Sequence, residues 1–500
     1  MNLFARKTLE ELNEEARAEG QGALKRHLGP VNLILLGIGA IIGAGLFVRT
    51  AAAAAEHAGP SVTLSFIVAA IGCALAGMCY AEFSAMTPVS GSAYTYSYAT
   101  MGELFAWIIG WDLVLEYALG AATVAIAWSQ YLNKFIESFI GPGYVIPYQL
   151  CHSPFESLVV DGKTVATGII NLPAVFVLLV LTLILVRGIK ESALFNAIVV
   201  SVKVLIVVMF IALGWQFINP TNHVPFIPEA TTVTNAVTGQ SHAFGGLWGI
   251  LGGAGVVFFA FIGFDAVSTV AQETKRPERD MPIGILGSLV VCTILYILFS
   301  WVLTGIAPYQ DFSDPTKGKE ASVAYAIQAY MAGYGWLGKF ITVAILFGFS
   351  SVILVMLLGQ SRVFYSMARD GLVPKVFSEL HPVFHTPAKS NWIFFVFVAF
   401  FAAFIPDSVV GDMTSIGTLF AFALVSIGII IMRKSDPAAP RPFRTPLVPW
   451  VPIAAVLVCG AMIAGLGWSN WLRLGIWLAI GMVIYFTYGI RNSRVQLSRR

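Results

Sequence analysis

The chain has 500 residues, of which 57% are hydrophobic and 11% charged, and its mean hydropathy is +0.79. A soluble domain carries about a quarter charged residues, so this composition belongs to an integral membrane protein. The formal net charge of +3 is too small to argue for nucleic acid or an acidic partner.

Residues 1–30 mix acid and base (Glu10, Glu11, Glu14, Glu15, Arg17). They read as a short amphipathic cytoplasmic segment, lying on the membrane surface or forming a tail, with no cleavable signal peptide. Beyond them, runs of about 20 apolar residues recur, each enough to cross roughly 30 Å of hydrocarbon. Spans are expected near 31–53, 61–85, 104–132, 171–187, 193–214, 245–270, 283–306, 336–361, 389–405, 412–432, 449–467 and 471–489. That is an all-α membrane protein of about twelve helices.

The first span holds the stretch Leu36–Val48, L-G-I-G-A-I-I-G-A-G-L-F-V, with glycines at 37, 39, 43 and 45. Glycine weakens a helix interior and lets the backbone leave it at least steric cost. In hydrocarbon, unwound backbone is tolerated only where protein or a water-filled cavity satisfies its N–H and C=O groups. A break here would therefore mark a binding site, whose freed amides suit an anion. Close packing of helices is the alternative source of such glycines.

The third span carries Glu116, with Asp112 one turn earlier. Glu116 is read as facing a cavity, where it would sense an amine or carry a proton, or else as clamping two helices; Glu82 and Asp112, nearer span ends, are read as structural. Lys203 lies mid-way along the fifth span, roughly 15 Å from either face, beyond the reach of a snorkelling side chain. A charge at that depth needs a reason, and burial disfavours the ammonium form. The readings are a proton-linked lysine or a cap on helix carbonyls, and the first is favoured. Segments 133–170 and 215–244 read as outer loops. Cys151 and His152 adjoin in the first of them, but two ligands without companions make a weak metal signal.

The sixth span, G-G-L-W-G-I-L-G-G-A-G-V-V-F-F-A-F-I-G-F-D-A-V (245–267), is again interrupted by glycine, five helices after the first, so the two run in opposite directions. Paired broken helices at corresponding positions of inverted halves point to a transporter site at the bilayer midplane. This echo favours the binding-site reading of Gly43–Gly45. Asp265 follows the sixth-span break and shares the two readings of Glu116. The proline-rich, basic stretch 433–448 reads as the connector to a peripheral final pair of helices.

With the N-terminus inside, 22 of the 30 basic residues fall in inner segments and seven in outer ones, Lys203 being the remaining one. That bias predicts both termini in the cytoplasm. No G-x-x-x-x-G-K-[ST] or H-E-x-x-H motif is present, which argues against a nucleotide-driven pump and against an enzyme; no cofactor or metal is expected.

Four stretches in order carry a family likeness: G-I-G-A-I-I-G-A-G-L-F (37–47), Y-A-E-F with P-V-S-G-S-A-Y-T-Y-S-Y (80–83 and 88–98), G-F-D-A-V-S-T-V-A-Q-E-T-K-R-P-E-R-D-M-P-I-G-I (263–285) and S-R-V-F-Y-S-M-A-R-D-G-L-V-P (361–374). The chain, over about residues 25–490, resembles the amino acid–polyamine–organocation superfamily, and within it bacterial members of the cationic amino acid transporter branch. The resemblance implies a five-plus-five inverted repeat of the leucine-transporter type, 31–214 and 245–432, followed by peripheral helices at 449–489 and a cytoplasmic tail at 490–500. It implies a substrate carboxylate held by the amides of Gly43, Ala44 and Gly45, and an α-amino group held by the carbonyls of Ile41, Phe259, Ala260 and Ile262. It places Lys203 near Ser350 and Ser351, its ammonium standing in for the second sodium of sodium-coupled cousins.

Two departures shape the expected substrate. Ala44 stands where the family often has Ser or Thr, which removes a hydroxyl donor. Met356 aligns where arginine-carrying relatives have a small Ser, filling the room a long cationic chain needs. The resemblance therefore implies import of small or medium neutral L-amino acids, such as alanine, by proton-coupled alternating access in the cell membrane. An exchanger of amino acids or polyamines, uptake of cationic amino acids, and a non-transporting receptor are the rivals. The expected partners are the amino acid, the proton and lipid, with a small single-span membrane protein or none.

Overall fold

The computed structural model describes residues 3–7, 28–86, 92–160, 163–188, 193–234, 241–265, 267–268, 274–314, 317, 321–384 and 386–498. The amphipathic reading of the N-terminal segment falls mostly on residues outside this set. The chain is mostly helical. Its helices are α1 (Pro30–Ile41), α2 (45–58), α3 (Val62–Met86), α4 (Ser92–Thr100), α5 (Glu103–Phe139), α6 (Leu172–Arg187), α7 (Ala193–Gly214), α8 (Gly246–Phe261), α9 (Pro277–Ile306), α10 (Ser322–Tyr330), α11 (Gly335–Arg369), α12 (Ala388–Phe404), α13 (Asp407–Ser435), α14 (Trp450–Gly465) and α15 (Trp468–Asn492).

Among the described residues, seven helical stretches are long and apolar enough to cross a bilayer, and five shorter apolar helices accompany them. Large apolar side chains such as Phe347, Val396, Leu457 and Val483 are exposed on helix surfaces, as lipid-facing residues are. The helices meet through small residues that let backbones approach. A Cβ on Gly37 would fall 2.5 Å from Ser288 Oγ, and one on Gly284 2.6 Å from Leu33 Cβ, so α1 lies tightly along α9.

The two segments expected to be outer loops differ from the all-α expectation. Ser157–Val160 (β1) pairs with Lys163–Thr167 (β2), and Thr231–Thr234 (β3) with Ser241–Phe244 (β4), both antiparallel. In the first case the sequence held the signal, since Asp161-Gly162 between β-branched runs favours a hairpin. α5 also runs on to Phe139, well past the expected end at 132. The short helices α4 and α10, absent from the sequence reading, follow the second and seventh spans.

The last two helices are not merely attached at the edge. In α14, a Cβ on Gly465 would lie 2.7 Å from the Gly252 amide of α8. On α15, Trp477 stacks on Trp111 of α5 at 4.6 Å, and each indole N–H donates to the other residue's carbonyl, at 2.9 and 3.2 Å. Both ends of the chain meet at Asp370. Its carboxylate binds Lys7 Nζ at 2.6 Å, and its carbonyl accepts the Arg494 amide at 3.0 Å.

Candidate functional site

Both glycine-rich spans are broken. α1 stops at Ile41, where Ile42 turns extended (φ −73°, ψ 106°), and the chain re-enters a helix at Gly43, whose carbonyl accepts the Leu46 amide at 3.2 Å. The first amides of the new helix, at 43–45, lack intrahelical acceptors and carry its positive end. α8 tightens into a 3-10 turn at Phe258–Phe261, and Ile262 then turns extended (φ −58°, ψ 135°).

The two breaks touch. A Cβ on Gly45 would fall 2.2 Å from the Cα of Ala260, so only glycine fits there. Gly263, at φ +113°, faces the Ala40 carbonyl, 3.0 Å from where its Cβ would be. The Tyr296 hydroxyl of α9 reaches both breaks, 3.0 Å from the Ile41 carbonyl and 2.9 Å from that of Ala260. With one proton to share, it serves two orphaned acceptors. The Phe259 carbonyl accepts the Ile262 amide at 3.3 Å, so of the carbonyls expected to hold an amine it is already engaged in the turn.

Lys203 of α7 is buried and donates to the Gly39 carbonyl at 2.8 Å. In an unbroken helix that carbonyl would take the amide four residues on, but Gly43 lies past the break. The ammonium thus caps an acceptor that the break exposes. The Lys203 stem also crosses α11 at Gly348, whose Cβ would lie 3.1 Å from Cε. Lys203 therefore joins α7, α1 and α11. Ser350 and Ser351 do not reach it through their hydroxyls, which turn back on the carbonyls of Leu346 and Gly348 in their own helix.

Below the breaks lies a group of buried acids. Glu116 sits on a π-helical turn of α5, Leu115–Leu119, a widening common at functional sites. Tyr117, on the same turn, donates to Asp265 Oδ2 at 2.6 Å. The Glu116 carboxylate lies within electrostatic reach of Asp265 and Asp112 and near Thr418. Asp112 has no hydrogen-bond partner among the described residues, and Glu116 has Asp265 and Thr418 as polar neighbours. In α11, Val352 rather than Met356 faces Gly43, 3.2 Å from its Cβ position. Met356, one turn on, packs its sulfur 3.0 Å from the Cβ position of Gly120, close to Thr414.

The profile of the family described as "Amino acid permease" matches residues 28–487. The chain belongs to that family. It is similar, at 42% identity over 99% of both chains, to the branched-chain amino acid permease BcaP of Bacillus subtilis. It is 39% identical to the methylthioribose transporter of the same organism, over 98% of this chain and 99% of the relative. It is also 34% identical to the vacuolar cationic amino acid transporter 4 of Arabidopsis thaliana, over 87% of this chain and 68% of the relative. These relatives are permeases and transporters rather than enzymes, and this permease falls within the amino acid–polyamine–organocation superfamily.

In this permease the structure brings Ile41, Gly43, Ala44, Gly45, Ala260 and Ile262 to one junction, with Lys203 one turn below the first break. Glu116 and Asp265 form a second group. Sequence reasoning missed Tyr296, Val352 and Tyr117. The first had a signal: a tyrosine mid-way through an apolar span must bring its hydroxyl to a partner.

Proposed function

We propose that this permease imports small to medium neutral L-amino acids, such as alanine, with protons, by alternating access across the cell membrane, its termini in the cytoplasm. The fold proposed is the leucine-transporter type, about twelve spans, with repeats at 31–214 and 245–432 and further helices at 449–489. The breaks in the first and sixth spans support it, as do α4 and α10, which follow the second and seventh spans at matching points of the two halves.

The observation that carries the reading is the Tyr296 hydroxyl held between the freed carbonyls of Ile41 and Ala260, beside the amides of Gly43, Ala44 and Gly45. That is a dipole arrangement for a zwitterion, carboxylate to a helix N-terminus and ammonium to carbonyls. In the proposed cycle the substrate ammonium takes over acceptors that Tyr296 serves. Lys203 links the proton to this step: protonated, it holds α1 through Gly39; neutral, it releases that carbonyl. Glu116 and Asp265 serve as the inner proton relay. Ser351, three residues on from Gly348, lies on the lysine's side of α11, and Met356 limits side-chain length. The branched-chain names of relatives at 42% and 34% identity extend the expected substrates to larger aliphatic chains.

Uptake of labelled alanine, leucine and arginine into proteoliposomes tests this. An imposed inward proton gradient should drive accumulation of the neutral amino acids. Trans-stimulation without proton-driven accumulation would make the protein an exchanger, and binding without movement a receptor. The relative named for methylthioribose favours one second reading, a carboxylate-free solute; strong competition by methylthioribose with none by alanine would establish it.

A further inference from the structure

Away from the two breaks, three metal-ligating side chains meet at the end of the first span. Glu56 and His57 lie on the last turn of α2, and His242 comes from β4, 186 residues after Glu56. One ligand atom from each lies within 4.8 Å of the others. The two imidazoles are 4.5 Å apart, centroid to centroid, tilted by 41°.

The hydrogen bonding suits a metal. His242 Nε2 lies 2.9 Å from the backbone carbonyl of Glu56. A carbonyl only accepts, so Nε2 carries the proton and Nδ1 keeps its lone pair, the arrangement that orients a metal-bound histidine. His57 is 7% exposed; its ring bonds the Ala243 backbone, while its Nδ1, 2.7 Å from the Cβ position of Gly252, has no hydrogen-bond partner among the described residues. A buried polar atom without a partner calls for an explanation. The backbone fixes this histidine: its carbonyl accepts the Gly245 amide at 2.8 Å and lies 2.5 Å from the Cβ position of Gly249.

The surrounding charge also suits a cation. Arg49, whose field reaches His57, is held by Asp412 at 2.6 Å and Asp407 at 3.7 Å. Glu56 and Glu156 both act electrostatically on Asp407. Acids therefore outnumber the arginine here.

We propose that Glu56, His57 and His242 bind a divalent transition-metal ion of the zinc class, with water completing the shell, and that the ion clamps the β3–β4 hairpin to the end of the first span. Two imidazoles and a carboxylate match zinc, and three protein ligands leave one open position. Ligands about 2.0–2.1 Å from zinc stand roughly 3.4 Å apart, so side-chain shifts of about 1 Å close the set. Magnesium and calcium want oxygen ligands and are disfavoured. The chain alone could not reveal the site, because its ligands come from distant segments.

The test uses full-length, tag-free protein in detergent, stripped with EDTA. Zinc chloride should raise the thermal unfolding temperature and bind at one equivalent by calorimetry, while magnesium or calcium chloride leaves both unchanged. Cobalt(II) should give the visible absorption of a low-coordinate site, a readout independent of stability. H242A should lose the zinc shift and the cobalt band. E56Q, which keeps the backbone carbonyl that holds His242, should weaken both. No zinc response in the wild type, the same response in H242A, or an equal shift with magnesium would each overturn the proposal.

Discussion

Two glutamates buried to the same degree, Glu82 and Glu116, are treated in opposite ways. Glu82, at the end of α3, accepts from Arg433 Nε at 2.8 Å and Nη2 at 2.9 Å, and from the Thr445 amide at 2.8 Å. Arg441 adds an ion pair at 3.3 Å. Glu116, in the middle of α5, has no cation paired with it among the described residues and faces the acids Asp265 and Asp112. Burial alone therefore does not distinguish structure from chemistry. The partners do: a carboxylate with every lone pair occupied is a lock, and one left beside like charges is free to take up and release a proton.

The sharpest way to break that contrast is at Lys203, the buried cation of the unlocked region. Lys203→Ala should abolish proton-driven accumulation while the protein still elutes as a folded, monodisperse species in detergent. Wild-type accumulation in this variant would remove Lys203 from coupling and leave it a cap on the Gly39 carbonyl.

The same substitution at the two glutamates should then give opposite phenotypes. Glu82→Gln strands two arginines, and breaking a buried pair costs about 3–5 kcal/mol. The unfolding temperature should fall sharply, and the protein that remains folded should transport. Glu116→Gln keeps the size of the side chain but removes its titratable carboxyl from beside Asp265 and Asp112, so stability should hold or rise while proton-driven accumulation is lost and exchange survives. If both variants lose stability equally, the contrast between lock and relay fails.

Much of this was legible in the sequence, and the boundary is physical. Glycine spacing marked both broken spans because hydrocarbon allows unwound backbone so rarely. Lys203 stood out because depth in the membrane follows from counting residues. What stayed hidden depended on which distant side chains meet. Glu82 looked like a span-end residue, yet Arg433, Arg441 and Thr445 come from 351 to 363 positions later. Tyr296 was one apolar-looking residue among thirty in α9 until its hydroxyl was found between two carbonyls. Met356 was named by its alignment in an apolar run, where register is poorly fixed, and nothing in the sequence pointed to Val352. The second-loop hairpin falls in a segment read only as polar loop.

Tyr296→Phe should have the next largest effect. It removes a hydroxyl shared by two buried carbonyls, and leaving a buried acceptor unserved costs about 1–3 kcal/mol. The substrate-free protein should therefore melt earlier. If the substrate ammonium uses the same carbonyls, the thermal shift produced by substrate should grow in this variant. A shift that shrinks with the stability loss would mean the hydroxyl itself contacts the ligand. Met356→Ser should be gentler. The cavity it leaves between α5, α11 and α13 should relax selectivity toward longer chains by roughly tenfold, about 1.4 kcal/mol, read as competition of arginine or lysine against labelled alanine. No widening would pass the wall of the pocket to Val352.

The smallest effect belongs to a carboxylate outside the spans, and it serves as the control for every pH measurement above. Asp311 lies between α9 and α10 and accepts from Tyr330 at 2.5 Å, Lys317 at 3.0 Å and Tyr325 at 3.0 Å. Burial raises its pKa toward the neutral form, but those three donors outweigh burial and hold it below the ordinary carboxylate range. A group whose folded value is depressed stabilises the fold above its unfolded value, and the contribution disappears as pH falls through the lower, folded one. Between about pH 5 and 8 Asp311 stays ionised in both states. Asp311→Asn should therefore lower stability slightly, by about 1 kcal/mol for a buried carboxylate whose lysine partner is half-exposed, and by the same amount across that window. A gap that changed with pH there would place a titrating group in the segment around Asp311. A constant gap assigns the pH dependence of uptake to the spans, where Lys203 and Glu116 sit.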